Sequence, residues 1–158
     1  MNDQQWIDKL AIQELIYSHC DAISRGDLAA LETLYAPHAV WEHTPLFGLR
    51  TESAREFFDF LAAVTPTAEI LLQTAQNPVV RLLDEGTARA TTTIFELSRG
   101  HKQPSMVQCG LYYDDLSKST GKWLFTHRRF VQCYVEHDTA RGDVPTTRAS
   151  LLESWIGT

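Results

Sequence analysis

The side chains most able to do chemistry are those that fall inside apolar patterns, where loss of water shifts an acid–base group or strengthens its field. His19 is one. On a helical projection it lies about 40 degrees from the centre of the stripe formed by Ile12, Ile16 and Ile23, and Cys20 lies about 60 degrees from it. Asp21, about 160 degrees away, is expected to face solvent. His43 stands at the end of the short strand Ala39 to Glu42, and an imidazole with a pKa near 6.5 is a usable base at neutral pH with little tuning. In the last third of the chain, alternation groups Met106, Gln108, Gly110 and Tyr112 on one face of a strand. It likewise groups Thr126, Arg128, Phe130 and Gln132, and Thr91, Thr93 and Phe95. An Arg on such a face stays charged and can stabilise a developing anion. Each group also has a plain structural reading: His19 as a satisfied core residue, His43 as a solvated strand end, Arg128 as the partner of Glu42 or Asp114.

Other chemistries find little support. The sequence carries no glycine-rich phosphate loop and no HExxH, and of its six histidines only His38 and His43 come within five residues of each other, so no metal site is expected. Ser24 with His19 or His43 resembles a nucleophile and base, but no nucleophile-elbow motif surrounds it. Cys20, Cys109 and Cys133 are odd in number and widely spaced, which fits reduced thiols better than a disulfide framework. Cys109 and Cys133, within apolar strand patterns, are expected to be buried.

Fourteen basic against twenty acidic residues give a formal charge of −6, and no basic run marks a nucleic-acid surface. No apolar run approaches the roughly 18 residues of a membrane span, and the first ten residues lack a signal-like apolar core. The expectation is a soluble, unexported, cytoplasmic protein. A chain of 158 residues, 44% hydrophobic with seven Phe, five Tyr and four Trp, can bury the core of one domain unaided.

The elements that must position these residues follow from periodicity. Apolar residues from Trp6 to Ser24 recur at helical spacing, with Arg25-Gly26 as the stop. Asp27 caps a second, short helix, Leu28 to Tyr35, that ends before Pro37. Ala39 to Glu42 reads as a short strand and Phe47-Gly48 as a turn. Ser53-Ala54-Arg55-Glu56 is a capping box for a third helix through Val64. Beyond Pro66 the period becomes two: Ile70–Leu83, Thr87–Leu97, Ser105–Leu116 and Trp123–Val135 read as four consecutive antiparallel strands. Asp84-Glu85-Gly86, Ser98-Arg99-Gly100 and Ser117 to Gly121 supply their turns. Helices first and a meander afterwards define an α+β architecture. The predicted domain spans residues 1–138. A tail of residues 139–158 follows, loop-like to Thr147 with an amphipathic turn from Ser150 to Ile156.

Several strings in this order resemble the SnoaL-like branch of the nuclear transport factor 2-like superfamily. They are Ala11-Ile12-Gln13-Glu14-Leu15, Arg25-Gly26-Asp27-Leu28, Leu34-Tyr35-Ala36-Pro37-His38-Ala39-Val40-Trp41, Asn77-Pro78-Val79-Val80, Tyr112-Tyr113-Asp114-Asp115-Leu116 and Gly121-Lys122-Trp123 leading to Arg128-Arg129. The resemblance covers about residues 6 to 137. It implies a cone-shaped, cystatin-like roll of three helices on a curved, mainly antiparallel sheet around an apolar pocket. Its enzymes, similar to scytalone dehydratase, ketosteroid isomerase and hexachlorocyclohexane dehydrochlorinase, transfer protons without a cofactor.

The same resemblance assigns roles. Where the dehydratase-like members carry an Asp and a His, this chain has Ser24 and Gln73, neither able to take a proton near neutral pH. His43 matches the place of the isomerase's catalytic Asp, so it becomes the expected base, with His19 and Arg128 binding developing negative charge. Tyr17, Ser24, Trp41, Gln73, Asn77, Phe95, Met106, Gln108, Tyr112 and Phe130 are the expected substrate contacts. The implied activity is a cofactor-independent lyase or isomerase acting on a small hydrophobic ring compound. Loss of the Asp and His keeps open a binding protein without catalysis. The apolar outer strand face (Val107, Cys109, Leu111, Tyr113, Val131, Cys133) keeps open a self-associating accessory subunit, and suggests a homodimer in either case.

Overall fold

The structure, a computed structural model, describes residues 2–44, 50–51, 53–101, 104–138 and 142–144. The anticipated Phe47-Gly48 turn and most of the tail lie outside them. Helix α1 (Asp3–Arg25) opens with a capping box, in which Asn2 and Gln5 each accept the other's backbone N–H, and closes at Gly26 with φ 72°. That left-handed turn costs glycine little and lets its N–H reach the Ala22 and Ile23 carbonyls. One face of α1, from Asp8 through Ile12, Ile16 and His19 to Ile23, is buried.

Helix α2 (Leu28–Glu32), capped by Asp27, is shorter than periodicity implied. Tyr35 begins strand β1 (Tyr35–Thr44) instead of ending the helix, and β1 is correspondingly longer than the expected Ala39–Glu42. The cause is tertiary pairing: β1 runs parallel to the last strand, and the Phe125 N–H donates to the Leu34 carbonyl at 3.0 Å. Pro37, with no N–H to give, sits where the register of that ladder shifts, between Tyr35 and Val40. The two-residue strand β2 (Arg50–Thr51) pairs antiparallel with β1. Helix α3 (Ala54–Val64) starts at the Ser53 cap and runs into a 3-10 turn, Thr65–Thr67.

Strands β3 (Ala68–Leu82), β4 (Thr87–Gly100), β5 (Ser105–Ser119) and β6 (Lys122–His137) form the antiparallel meander, and the whole sheet has the order β2-β1-β6-β5-β4-β3. The expected turn at Ser98-Arg99-Gly100 is strand: Gly100 still pairs with Ala68. Bulges in β3 between Gln76 and Val79, and in the β5–β6 ladder at Cys109/Gly110 and Asp115/Leu116, bend the long strands so that the sheet curves around α1. This is an α+β roll with its helices on the concave side.

Ile12, Ile16, Leu31, Ile94, Leu116 and Phe125, all essentially inaccessible, form the solid part of the core. Each such side chain contributes about 1.5–3 kcal/mol by leaving water. Asp8 ties α1 to the β5–β6 hairpin, accepting from the Lys118 ammonium at 2.7 Å and the Trp123 indole N–H at 3.0 Å. The Lys118 hydrogen bond, then that of Trp123, holds this carboxyl below the usual aspartate range. Two expectations about thiols fail, because Cys109 and Cys133 belong to the outer face of the sheet: Cys109 is half-buried and Cys133 exposed, and Cys20 alone is buried. Among the described residues no helix is long and apolar enough to cross a membrane.

Candidate active site

Between α3 and the concave face of the sheet lies a cleft of about 550 Å³. Phe57, Phe60, Leu61 and Val64 of α3 form one wall, and Trp41 and His43 of β1 with Phe130 of β6 form a second. Gln73 of β3, Glu96 of β4, and Met106, Gln108 and Tyr112 of β5 complete the inner surface. The Trp41 ring stacks on Phe57 at 4.1 Å, which joins the first two walls. α3 can supply this apolar wall because its aromatic and aliphatic residues recur at helical spacing on one side.

His43 is 93% buried, packed edge-on to Phe130 with ring centroids 5.0 Å apart and tilted against Trp41 at 5.9 Å. Burial lowers its pKa from the ordinary 6.5, so the imidazole is neutral at neutral pH and able to accept a proton. Tyr112 places its hydroxyl 3.5 Å from Gln73 Oε1, a long hydrogen bond, and burial pushes the phenol well above its usual range, which keeps it a donor. Cys20 also reaches Gln73 Oε1, at 3.4 Å, and burial pushes its thiol up to about 12, so it is not a thiolate nucleophile.

A row of amides surrounds a carboxylate on the sheet side of the cleft. Gln73, Glu96 and Gln108 stand opposite one another on β3, β4 and β5. Gln73 Nε2 donates to Glu96 Oε2 and Gln108 Nε2 to Glu96 Oε1, both at 2.8 Å. Gln132 Nε2 donates in turn to Gln108 Oε1 at 2.6 Å. Ser24 lies behind this row, where its hydroxyl accepts the Gln73 backbone N–H at 2.9 Å and donates to the Cys20 carbonyl at 2.8 Å.

Of the residues singled out from the sequence, Trp41, His43, Gln73, Met106, Gln108, Tyr112 and Phe130 stand on the cavity wall. His19 and Arg128 do not, which corrects the expectation that they project into it. Both are wholly inaccessible, and Tyr112 lies between them and the cleft, with its ring 4.2 Å from the Arg128 guanidinium carbon and 5.7 Å from the His19 ring. Arg128 is spent on Asp114 in a bidentate pair, the partner that was open to it from the sequence. His19 Nδ1 is hydrogen-bonded to the Tyr35 hydroxyl at 3.1 Å, and its burial, reinforced by the Arg128 charge, lowers its pKa well below 6.5.

Three expected contacts are elsewhere. Tyr17 is 45% exposed on the far side of α1, and Asn77 is exposed at the β3 bulge with φ 52°. Phe95 is 44% exposed on the outer face, because β4 turns Thr92, Ile94 and Glu96 inward in place of Thr91, Thr93 and Phe95. Thr126 also leaves the predicted set, since Phe125 points inward and the bulge beside it resets the alternation before Arg128. Glu96 is the residue sequence reading missed; correct phasing of β4 from the buried Ala88 and Ala90 onwards would have found it. No group of three or more His, Cys, Asp or Glu among the described residues could hold a metal ion.

A roll of helices and bent sheet closed over an apolar cleft defines the nuclear transport factor 2-like type of protein. Residues 4–129 match the SnoaL-like domain, and the chain belongs to that family. No curated protein matches the sequence. Among solved structures it is similar to a scytalone dehydratase-like protein from Novosphingobium aromaticivorans, with 17% identity over 93% of this chain and 95% of that one and a TM-score of 0.79. It is also similar to a hexachlorocyclohexane dehydrochlorinase from Novosphingobium barchaimii, at 14% identity over 90% and 98% with a TM-score of 0.79. A Mycobacterium tuberculosis protein of unknown function shares 16% identity over 96% and 88%, with a TM-score of 0.71. At these identities the likeness is one of fold, and the chemistry has to be argued from the site.

Proposed function

We propose that this protein is a cofactor-independent lyase or isomerase that transfers a proton on a small, mostly apolar ring compound, with His43 as the base. The observation that carries this reading is a neutral, buried imidazole on the wall of the cleft, set among the Trp41, Phe57 and Phe130 rings. A ring seated against Phe57, Phe60 and Phe130 gives up a C–H proton to His43. The electron pair left behind moves into an adjacent carbonyl as an enolate, or expels a group on the neighbouring carbon. Tyr112 donates its O–H to the developing oxyanion, and its long bond to Gln73 is little to lose. Membership in the SnoaL-like family supports this class of reaction, as does the likeness to proteins described as dehydratase-like and dehydrochlorinase.

A second reading, a binding protein without catalysis, is favoured by one observation. Ser24 and Gln73, at the places of the dehydratase-like Asp and His, are bonded to each other through the Gln73 backbone and offer no base. Deuterium exchange separates the two without knowledge of the natural substrate. Cyclic ketones such as 2-tetralone and 2-indanone, incubated with the protein in D2O, are expected to lose α-protons faster than in buffer by NMR, and His43→Ala to abolish that excess. Binding of the ketones with no excess exchange would leave the second reading standing.

A further inference from the structure

Cys109 and Cys133, far apart in the chain, come together on the outer face of the sheet, away from the cleft. Cys109 pairs with Tyr134 and Gly110 with Gln132, which leaves Cys133 as the extra residue of the β5–β6 bulge. In such a bulge two residues of one strand oppose one residue of the other, so Cys133 and Tyr134 both stand opposite Cys109. Burial agrees with that placement. Strict alternation after the buried Gln132 would turn Cys133 outward and Tyr134 inward, yet both are exposed. Cys109 is half-buried beside them, and both cysteines are free thiols.

Opposed residues of an antiparallel ladder lie about 4.5–5.5 Å apart at Cα, within the roughly 4.4–6.8 Å that a disulfide spans. The Cys133 thiol turns back along its own strand to the Val131 carbonyl oxygen, 3.7 Å away. A thiol is a weak donor, so rotation about the Cα–Cβ bond gives up little when it swings the sulfur toward Cys109. The two thiols also differ in access: Cys133 is open to a reagent in solvent, and Cys109 is placed to react second. The third thiol, Cys20, is buried in the core with its pKa pushed up to about 12 and takes no part.

We infer that Cys109 and Cys133 form a reversible dithiol–disulfide site that reacts with small disulfides such as glutathione disulfide. Cys133 loses its proton to water and attacks one sulfur of the reagent. The reagent's S–S bond breaks, a protein–glutathione disulfide forms, and one glutathione leaves as its thiolate. Deprotonated Cys109 then attacks Cys133 Sγ in that mixed disulfide and expels the second glutathione. The protein pair has lost two electrons and two protons, and the reagent has become two thiols. Exposed disulfides are among the readily reduced ones, so excess reduced glutathione runs both steps backward. This chemistry needs nothing from the cleft on the other face of the sheet.

The test treats the full-length, reduced protein with glutathione disulfide and blocks the remaining thiols with N-ethylmaleimide. Intact mass, a non-reducing gel and a non-reducing tryptic map are then recorded, trypsin being able to cut between the two cysteines at Lys118, Lys122 and Arg128. The expected product is a single chain lighter by two hydrogens, with Cys109 linked to Cys133 and Cys20 labelled only after denaturation. Cys109→Ser is expected to stop at the glutathione adduct on Cys133, and excess reduced glutathione to restore both thiols of the wild type. A wild-type product that keeps glutathione on Cys133 while Cys109 stays free would overturn the pairing, and so would a disulfide-linked dimer. Two thiols left unmodified by the reagent would defeat the site altogether. A crosslink that reduced glutathione does not reopen would refute its reversibility. If Cys109→Ser fails to fold, the wild-type map decides alone.

Discussion

Arg128 and Asp114 face each other across β5 and β6, Nε to Oδ1 at 2.7 Å and Nη2 to Oδ2 at 2.8 Å, with both side chains completely inaccessible. The guanidinium also lies 3.8 Å from the Phe125 ring centre and 4.2 Å from that of Tyr112. The pair is therefore a cross-strand tie inside the core, behind the cleft wall. Removing either partner strands a buried charge, so Arg128→Met and Asp114→Leu are each expected to cost about 3–5 kcal/mol in urea unfolding. The double variant is expected to recover most of that loss, because nothing charged then remains unpaired.

The proposed role of His43 as base carries an expectation about pH. Its pKa is lowered from 6.5 by burial, so deuterium exchange catalysed by the protein is expected to be level through neutral pH and to fall along an acid limb with its midpoint below 6.5. A midpoint above 6.5 would point to a different base.

His19 governs stability in the same pH range and in a definite sense. Its folded pKa is well below 6.5, so the unfolded chain takes up the proton first, and stability falls as the pH drops below about 6.5. His19→Phe is expected to reduce that acid decline, with His43, whose pKa is also lowered by burial, supplying part of the remainder. At pH 8 it should still cost about 1–3 kcal/mol, because the Tyr35 hydroxyl loses its buried partner. Thermal unfolding measured from pH 8 down to pH 5 reads both effects.

Gly110 permits the close approach of β5 to β6. A Cβ there would stand 2.2 Å from the Val131 carbonyl oxygen and 2.7 Å from the Phe130 ring. Gly110→Ala is expected to destabilise by about 1–3 kcal/mol. By displacing Phe130 it should also weaken ligand binding in the cleft, which calorimetry would show.

Most of the framework was legible because local signals and the tertiary fold agree. Gly26 ends the first helix, Ser53 starts the third, and the four meander strands depart from their periodic runs by three residues at most at either end. The helical projection also placed His19 correctly on the buried face of α1, though not in the cleft. The failures have specific causes. Tyr35 and Phe125 pair across most of the chain, and no local window reports that contact. Phe95 drew the phase of β4 toward itself, since an aromatic residue reads as an inward one. In this strand it lies on the outer face, and the charged Glu96 takes the inner place because two amides are there to receive it. A bulge near Thr126 reset the phase of β6, so a strict period of two could hold on one side of it at most.

The parallel ladder between β1 and β6 also orders events during synthesis. Trp41 lies beside Arg128, and His43 beside Phe130, so the strand that bears His43 has no lateral neighbour on that edge until almost the whole domain has left the ribosome. Joining such distant segments is the slow, entropically expensive step of forming a structure of this kind. Until the last strand arrives, Trp41 and Phe57 lack the Phe130 side of the cleft, and an incomplete chain displays those rings as a sticky open trough.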